Sequence, residues 1–105
     1  MIELDRENFE SEVLQAEGKV FVDFYGDGCI PCEALKPFIH KMAEKYGTKM
    51  KFTALNTTKA RRLAISQRVL GLPAIAVYEG GAKIAELVTG DCTEAGVEEM
   101  IAKYI

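Results

Sequence analysis

KVFVDFYGDGCIPC, residues 19–32, opens with seven residues that are nearly all β-branched or aromatic, turns at Gly26-Asp27-Gly28, and closes on two cysteines separated by two residues. The near-continuous apolarity of Lys19–Tyr25 predicts a strand covered on both faces, the central one of a sheet. Beyond the turn, Leu35, Phe38, Ile39, Met42 and Tyr46 form an apolar stripe at helical spacing, which predicts a helix running to about Tyr46 and ended by Gly47. A buried strand feeding straight into a long helix is the opening of a crossover unit, so this stretch already argues for an α/β fold.

Working outward, Ile2–Leu4 reads as a short strand. Asp5 can cap a helix to about Leu14, with Phe9 and Val13 facing inward and Gly18 closing it. Met50–Leu55 is a third strand, and Asn56, Thr57 or Thr58 can cap a helix from about Lys59 to Arg68. Ala74–Tyr78 and Lys83–Val88 flank Glu79-Gly80-Gly81-Ala82, a short connection suited to an antiparallel hairpin. A last helix after Asp91 or Thr93 buries Val97, Met100, Ile101 and Tyr104. The order is βαβαβαββα: an α/β chain with a five-stranded mixed sheet flanked by four helices. In such sheets, sites lie beyond the carboxyl ends of the central strands, here the segment Gly26–Pro31.

Composition bounds the answer. At 105 residues, 49% apolar and 28% charged, the chain reads as one globular domain over residues 1–105, with a folded surface of roughly 5,800 Å² expected from its size. A net charge of −3 argues against nucleic acid, whose phosphates call for a basic field. No apolar run is long enough for a membrane span and no charged leader precedes the first strand, so a cytoplasmic monomer is expected. Three cysteines are an odd number and too few for a secreted disulfide scaffold.

The cysteine pair is the chemical centre. Its position puts Cys29 at a helix cap and Cys32 one turn along the same face. Unpaired N–H groups and the positive end of the helix dipole stabilise a thiolate on Cys29, which makes it the nucleophile. Cys32, deeper and shielded, can close a disulfide with Cys29 and resolve a mixed disulfide formed there. Pro31 suits the first turn because no amide hydrogen is needed there. A zinc site would need further ligands, and only Cys92 and His40 remain, neither at ligand spacing. Two inert core cysteines are the other alternative. Asp23 is an acid within an apolar strand, where burial should raise its pKa, unless it is a partly exposed acid at the strand's end.

Phe21-Val22-Asp23-Phe24-Tyr25, Gly28-Cys29-Ile30-Pro31-Cys32, Pro37, Gly71-Leu72-Pro73, Gly80-Gly81 and Gly90 together resemble thioredoxin over essentially the whole chain. The resemblance implies a protein disulfide reductase with no bound cofactor, in which Cys29 attacks and Cys32 resolves. Disulfide-containing protein substrates and a thioredoxin reductase drawing on NADPH through flavin are the implied partners. It also implies a cis peptide bond before Pro73, although an ordinary trans proline would suit a strand's first position as well, and a proton-transfer role for Asp23 toward Cys32. Substrate segments would lie across Gly28, Ile30, Pro31, Leu72, Pro73 and the loop Thr89-Gly90-Asp91, pairing in a strand-like mode. Pro37 would kink the long helix.

The departures are informative. Gly28 stands where the family usually has tryptophan, Ile30 where it has glycine, Glu33 where it has a basic residue, and Ala54 where a lysine usually neighbours the buried acid. Asp27 and Glu33 place two acids at the helix start, opposing the thiolate. Gly28-Cys29-Ile30-Pro31-Cys32, Asn56-Thr57-Thr58 and Ala60–Gln67 are similar to the thioredoxins of amino-acid-fermenting clostridia, which implies selenoprotein glycine, sarcosine or betaine reductase components as further partners. Rival readings are a net oxidant or isomerase and a non-catalytic binding module of the same fold. Lys59, Arg61, Arg62 and Arg68 make one helix basic, as a solvated face or a dock for an acidic partner. Cys92 reads as a spectator thiol or a regulatory one, and His40 as a surface residue.

Overall fold

The computed structural model describes all residues, Met1–Ile105. Strands β1 (Ile2–Leu4), β2 (Lys19–Tyr25), β3 (Lys51–Asn56), β4 (Ala74–Glu79) and β5 (Ala82–Val88) form one sheet in the order β1-β3-β2-β4-β5. β2 is central and pairs parallel with β3 and antiparallel with β4; β1 is parallel to β3 and β5 antiparallel to β4. Its residues Val20–Phe24 are all buried, as the unalternating run required. The accessible surface is 6031 Å², close to the size-based expectation of roughly 5,800 Å².

Because side chains alternate along a strand, β2 divides its residues between two cores. Val20, Val22 and Phe24 pack with Phe9, Val13, Leu55, Ala64, Ala76 and Tyr78 on one face. Phe21 packs on the other with Leu35, Ile39 and Met42 of α1 (Ile30–Tyr46) and Val97, Met100 and Ile101 of α3 (Glu94–Tyr104). The predicted apolar stripes are therefore the faces buried. Asp23 has the parity of Phe21, which turns it toward α1.

Local chemistry redraws some boundaries. The first helix does not run from Asp5: Asp5 Oδ1 accepts from the N–H groups of Glu7 and Asn8, forming a turn, and only Glu10–Leu14 continues, as a π-helical turn. Gln15 N–H closes it onto Glu10 O, so Gly18, at φ +75°, turns the chain into β2 rather than ending a helix. The helix expected over Lys59–Arg68 is split into a 3-10 turn, Thr57–Lys59, and α2 (Arg61–Ser66), because Ala60 between them leaves helical geometry at φ −148°, ψ 52°. Asn56 caps the first piece by accepting from Thr58 N–H, and Thr93 caps α3 by accepting from Gly96 N–H. At the tip of the hairpin only Gly80 and Gly81 are unpaired, and farther along Ile84 is left out of the register as a bulge opposite Val77 and Tyr78. Both glycines have positive φ, as a two-residue hairpin between right-twisted strands needs.

Candidate active site

β2 ends at Tyr25, the chain turns at Gly26, Asp27 and Gly28, and α1 begins at Ile30 with Cys29 as its N-cap. Gly28 has φ +72°, a conformation costly for any residue with a Cβ. Cys29 and Cys32 are joined as a disulfide with their Cα atoms 5.3 Å apart. The Cys29 sulfur also accepts the Cys32 N–H at 3.3 Å, so one of the orphan donors of the first turn points at it. Cys29 is partly exposed, whereas Cys32 is only 6% exposed. An outer sulfur that a partner can reach and an inner one that it cannot are thus set on a single helical turn, with Pro31 between them where no donor is lost.

Beneath Cys32, a crevice of about 10 Å³, the room one water needs, is lined by Asp23, Tyr25, Gly26, Cys32, Glu33 and Lys36. Asp23 is buried, not an exposed acid at the strand's end. Burial raises its carboxyl from 3.8 to about 7, against a downward pull from Lys36, with Glu3 adding to the rise. Ala54 is its register partner on β3 and Ile75 on β4, so neither neighbouring strand offers it a charge. The strand position of the family's usual lysine is Ala54, as read from the sequence, and the cation that acts on Asp23 is Lys36 of α1. Its Nζ lies 5.2 Å from the Tyr25 ring centroid, and the Tyr25 hydroxyl donates to Glu3 Oε2 at 2.6 Å. These partners escaped the sequence reading. Lys36 is four residues from Cys32 on one helix face, and Tyr25 shares the strand parity of Asp23, which are the signals that would have found them.

The two acids at the helix start differ. Asp27 is drawn toward β3, its carboxylate accepting from Asn56 Nδ2 and its N–H bonding Thr58 Oγ1, while Glu33 lines the crevice.

The Leu72–Pro73 peptide bond is cis. Leu72 lies against the cysteine turn: a Cβ on Gly26 would come within 2.8 Å of its Cδ1. Pro73 is buried and its carbonyl accepts from Thr89 N–H at 2.8 Å, which ties the loop Thr89-Gly90-Asp91 to this edge. Thr89 takes φ +42°, a strained value for a β-branched residue. Gly28, Ile30, Gly71, Thr89, Gly90 and Asp91 are exposed, and Ile30, between the two cysteines, is 80% exposed, which puts an apolar side chain beside the disulfide. Cys92 is half-buried, donates to Leu87 O and Pro73 O, and has its thiol pushed up to about 11, chiefly by burial and then by Asp23 and Asp91. That environment favours an inert thiol. No cluster of side chains suits a metal ion, His40 is exposed, and no helix is long and apolar enough to cross a membrane. Lys59, Arg61, Arg62 and Arg68 are exposed around α2.

Comparison with known proteins agrees with this geometry. The family model described as thioredoxin matches residues 1–103. The chain is 57% identical over 105 residues to the thioredoxin of Acetoanaerobium sticklandii, covering all of both chains. It is 49% identical over 105 residues to that of Peptoclostridium acidaminophilum, covering 100% of this chain and 96% of the other. It is 36% identical over 88 residues to the thioredoxin of Buchnera aphidicola, covering 84% and 82%. The similarity to thioredoxins of amino-acid-fermenting clostridia is thereby borne out. With its dithiol pair at the mouth of α1 and this match along its length, the chain belongs to the thioredoxin family and is a thiol-disulfide oxidoreductase working through Cys29 and Cys32.

Proposed function

We propose that the chain is a general protein disulfide reductase of the cytoplasm, acting as a single-domain monomer, in which Cys29 attacks, Cys32 resolves and Asp23 moves the proton at Cys32. Disulfide-bearing proteins and a reductase are the partner classes that the family brings. In the reduced protein the Cys29 thiolate attacks one sulfur of a substrate disulfide. A mixed disulfide forms and the other substrate sulfur leaves as a thiolate, which takes a proton from solvent. Cys32 then gives its thiol proton to the Asp23 carboxylate, and its sulfur attacks Cys29 Sγ. The second substrate thiolate departs and the Cys29–Cys32 disulfide closes. Two electrons pass to the substrate, and a thioredoxin reductase drawing on NADPH through flavin restores the dithiol. No bound cofactor is needed, since the electrons reside in the two sulfurs.

The unequal exposure of the two sulfurs carries this assignment. An acid held near neutrality can both accept and return a proton at working pH, which supports the part given to Asp23. The substrate surface is the rim formed by Gly28, Ile30, Pro31, Leu72, Pro73, Thr89, Gly90 and Asp91. Leu72 has no backbone hydrogen bond within the chain, so its N–H and C=O are the groups open to an extended segment, the Pro73 carbonyl being taken by Thr89. The roles are tested by trapping: Cys32→Ser holds disulfide-bearing partners covalently on Cys29, and Cys29→Ser does not. Equal trapping by both variants would overturn the assignment.

The two full-length relatives from amino-acid-fermenting clostridia favour a second, narrower reading, in which the chain is the dedicated electron donor to selenoprotein glycine, sarcosine or betaine reductase components. Parallel rates with such a component and with insulin as acceptors separate the two. Comparable rates point to the general reductase. Neither acceptor being reduced would point to a binding module of the same fold.

A further inference from the structure

We propose that Lys36, held on the Tyr25 ring, is the electrostatic partner of Asp23 and a positioning residue for the proton transfer at Cys32. The inference rests on the part given to Asp23 above.

The crevice under Cys32 has charged or titratable groups on several sides. Beside Asp23, its lining takes Tyr25 from β2 and Glu33 and Lys36 from α1, while Glu3 on β1 and Cys92 before α3 lie outside the lining and couple to Asp23 through its charge. Across the sheet, Ala54 and Ile75 contribute none. Lys36 is the single cation in this set. It comes from α1, four residues beyond Cys32, so the helix that carries the resolving sulfur also carries the charge.

A lysine on an exposed helix face would ordinarily wander. Here its Nζ lies over the Tyr25 ring, 5.2 Å from the centroid, where the ring's negative face attracts it. The ring is itself fixed by the 2.6 Å bond from its hydroxyl to Glu3. Glu3, Tyr25 and Lys36 thus form a chain from β1 across β2 to α1 that keeps an ammonium at the mouth of the crevice. A cation there favours the carboxylate form of Asp23 and offsets part of what burial does, keeping the group able to accept a proton from Cys32.

The test uses the oxidised protein, so that neither Cys29 nor Cys32 titrates. Asp23 is labelled with carbon-13 and its carboxyl shift followed from about pH 4 to about pH 10. In Lys36→Met the midpoint rises by about one pH unit. Lys36→Arg, which keeps the charge and can stack on the ring, returns it to the parent value. Lys41→Met, an exposed cation elsewhere on α1, leaves it in place. An unmoved midpoint in Lys36→Met, or an equal rise in Lys41→Met, overturns the proposal. Asp23→Asn in an exchange assay asks the separate question of whether the acid acts at all. An unchanged rate there with a moved midpoint in Lys36→Met would refute the role of Asp23 and leave its pairing with Lys36 standing.

Discussion

Asp23 lies in a strand whose other buried members are valine and phenylalanine, and it carries a cost that the fold retains. Its carboxyl ionises at about 7 when buried and at 3.8 ordinarily, so the folded protein binds this proton more tightly than the unfolded chain does. The contribution to stability is complete below about pH 4, falls as pH rises from there to about 7, and is lost above. Asp23→Asn removes that dependence. The variant is expected to match its parent near pH 3.5 and to exceed it at pH 8 by on the order of 4 kcal/mol at most, three pH units at about 1.4 kcal/mol each. Urea unfolding at the two pH values, followed by circular dichroism, checks this; an equal difference at both would show that ionisation is not the cause. A buried acid with so raised a pKa is what the proton-transfer part proposed for Asp23 calls for.

At the scale of elements, the site is the join between β2 and α1. The strand fixes where the turn starts, the helix fixes how its two sulfurs are stacked, and Gly28 lets the chain pass between them at φ +72°. A Cβ on Gly28 would meet nothing within 4 Å, so Gly28→Ala should cost only the backbone strain, about 1 kcal/mol, with disulfide reduction preserved. Thermal unfolding and an insulin reduction assay together test this, and a loss of activity well beyond the loss of stability would mean that the turn's path matters to substrates. Gly28 adds no side chain beside Cys29, and the neighbouring Ile30 is 80% exposed, so the surface next to that sulfur is aliphatic. The helical stripes were plain in the sequence because 3.6 periodicity over seventeen residues is a strong signal. The short pieces were not. A five-residue π-helical turn and a six-residue α2 are too brief for periodicity to bound them, and side-chain bonds from Asp5 and Asn56 decide where they break.

Across the whole molecule, one sheet separates two cores, and both are needed to hold the site: one seats α1 with its cysteines, the other seats the segment leading through α2 to Leu72 and Pro73. Ile101 is fully buried in the first, on α3, far along the chain from Cys29. Ile101→Ala should destabilise the protein by about 2–5 kcal/mol. It should do so in one cooperative transition, since α1 and α3 share that core. Separate unfolding of the α3 segment in hydrogen exchange, with α1 still protected, would contradict it.

The sequence alone determined the order of the elements, the central place of β2 and the stacking of Cys29 over Cys32 on a helix start; for Asp23 it left burial and a partly exposed strand end both open, and the structure decided for burial. The first three follow from local periodicity and from residues adjacent in the chain. It placed the substrate rim at Gly28, Ile30, Leu72 and Thr89–Asp91 only through resemblance, because those residues meet by strand register and not by sequence spacing. What only the tertiary structure decided is the surroundings of the acid. Glu3, Tyr25 and Lys36 come from three different elements, and the distance between charges that sets a carboxyl's proton affinity exists only after the sheet and α1 have packed.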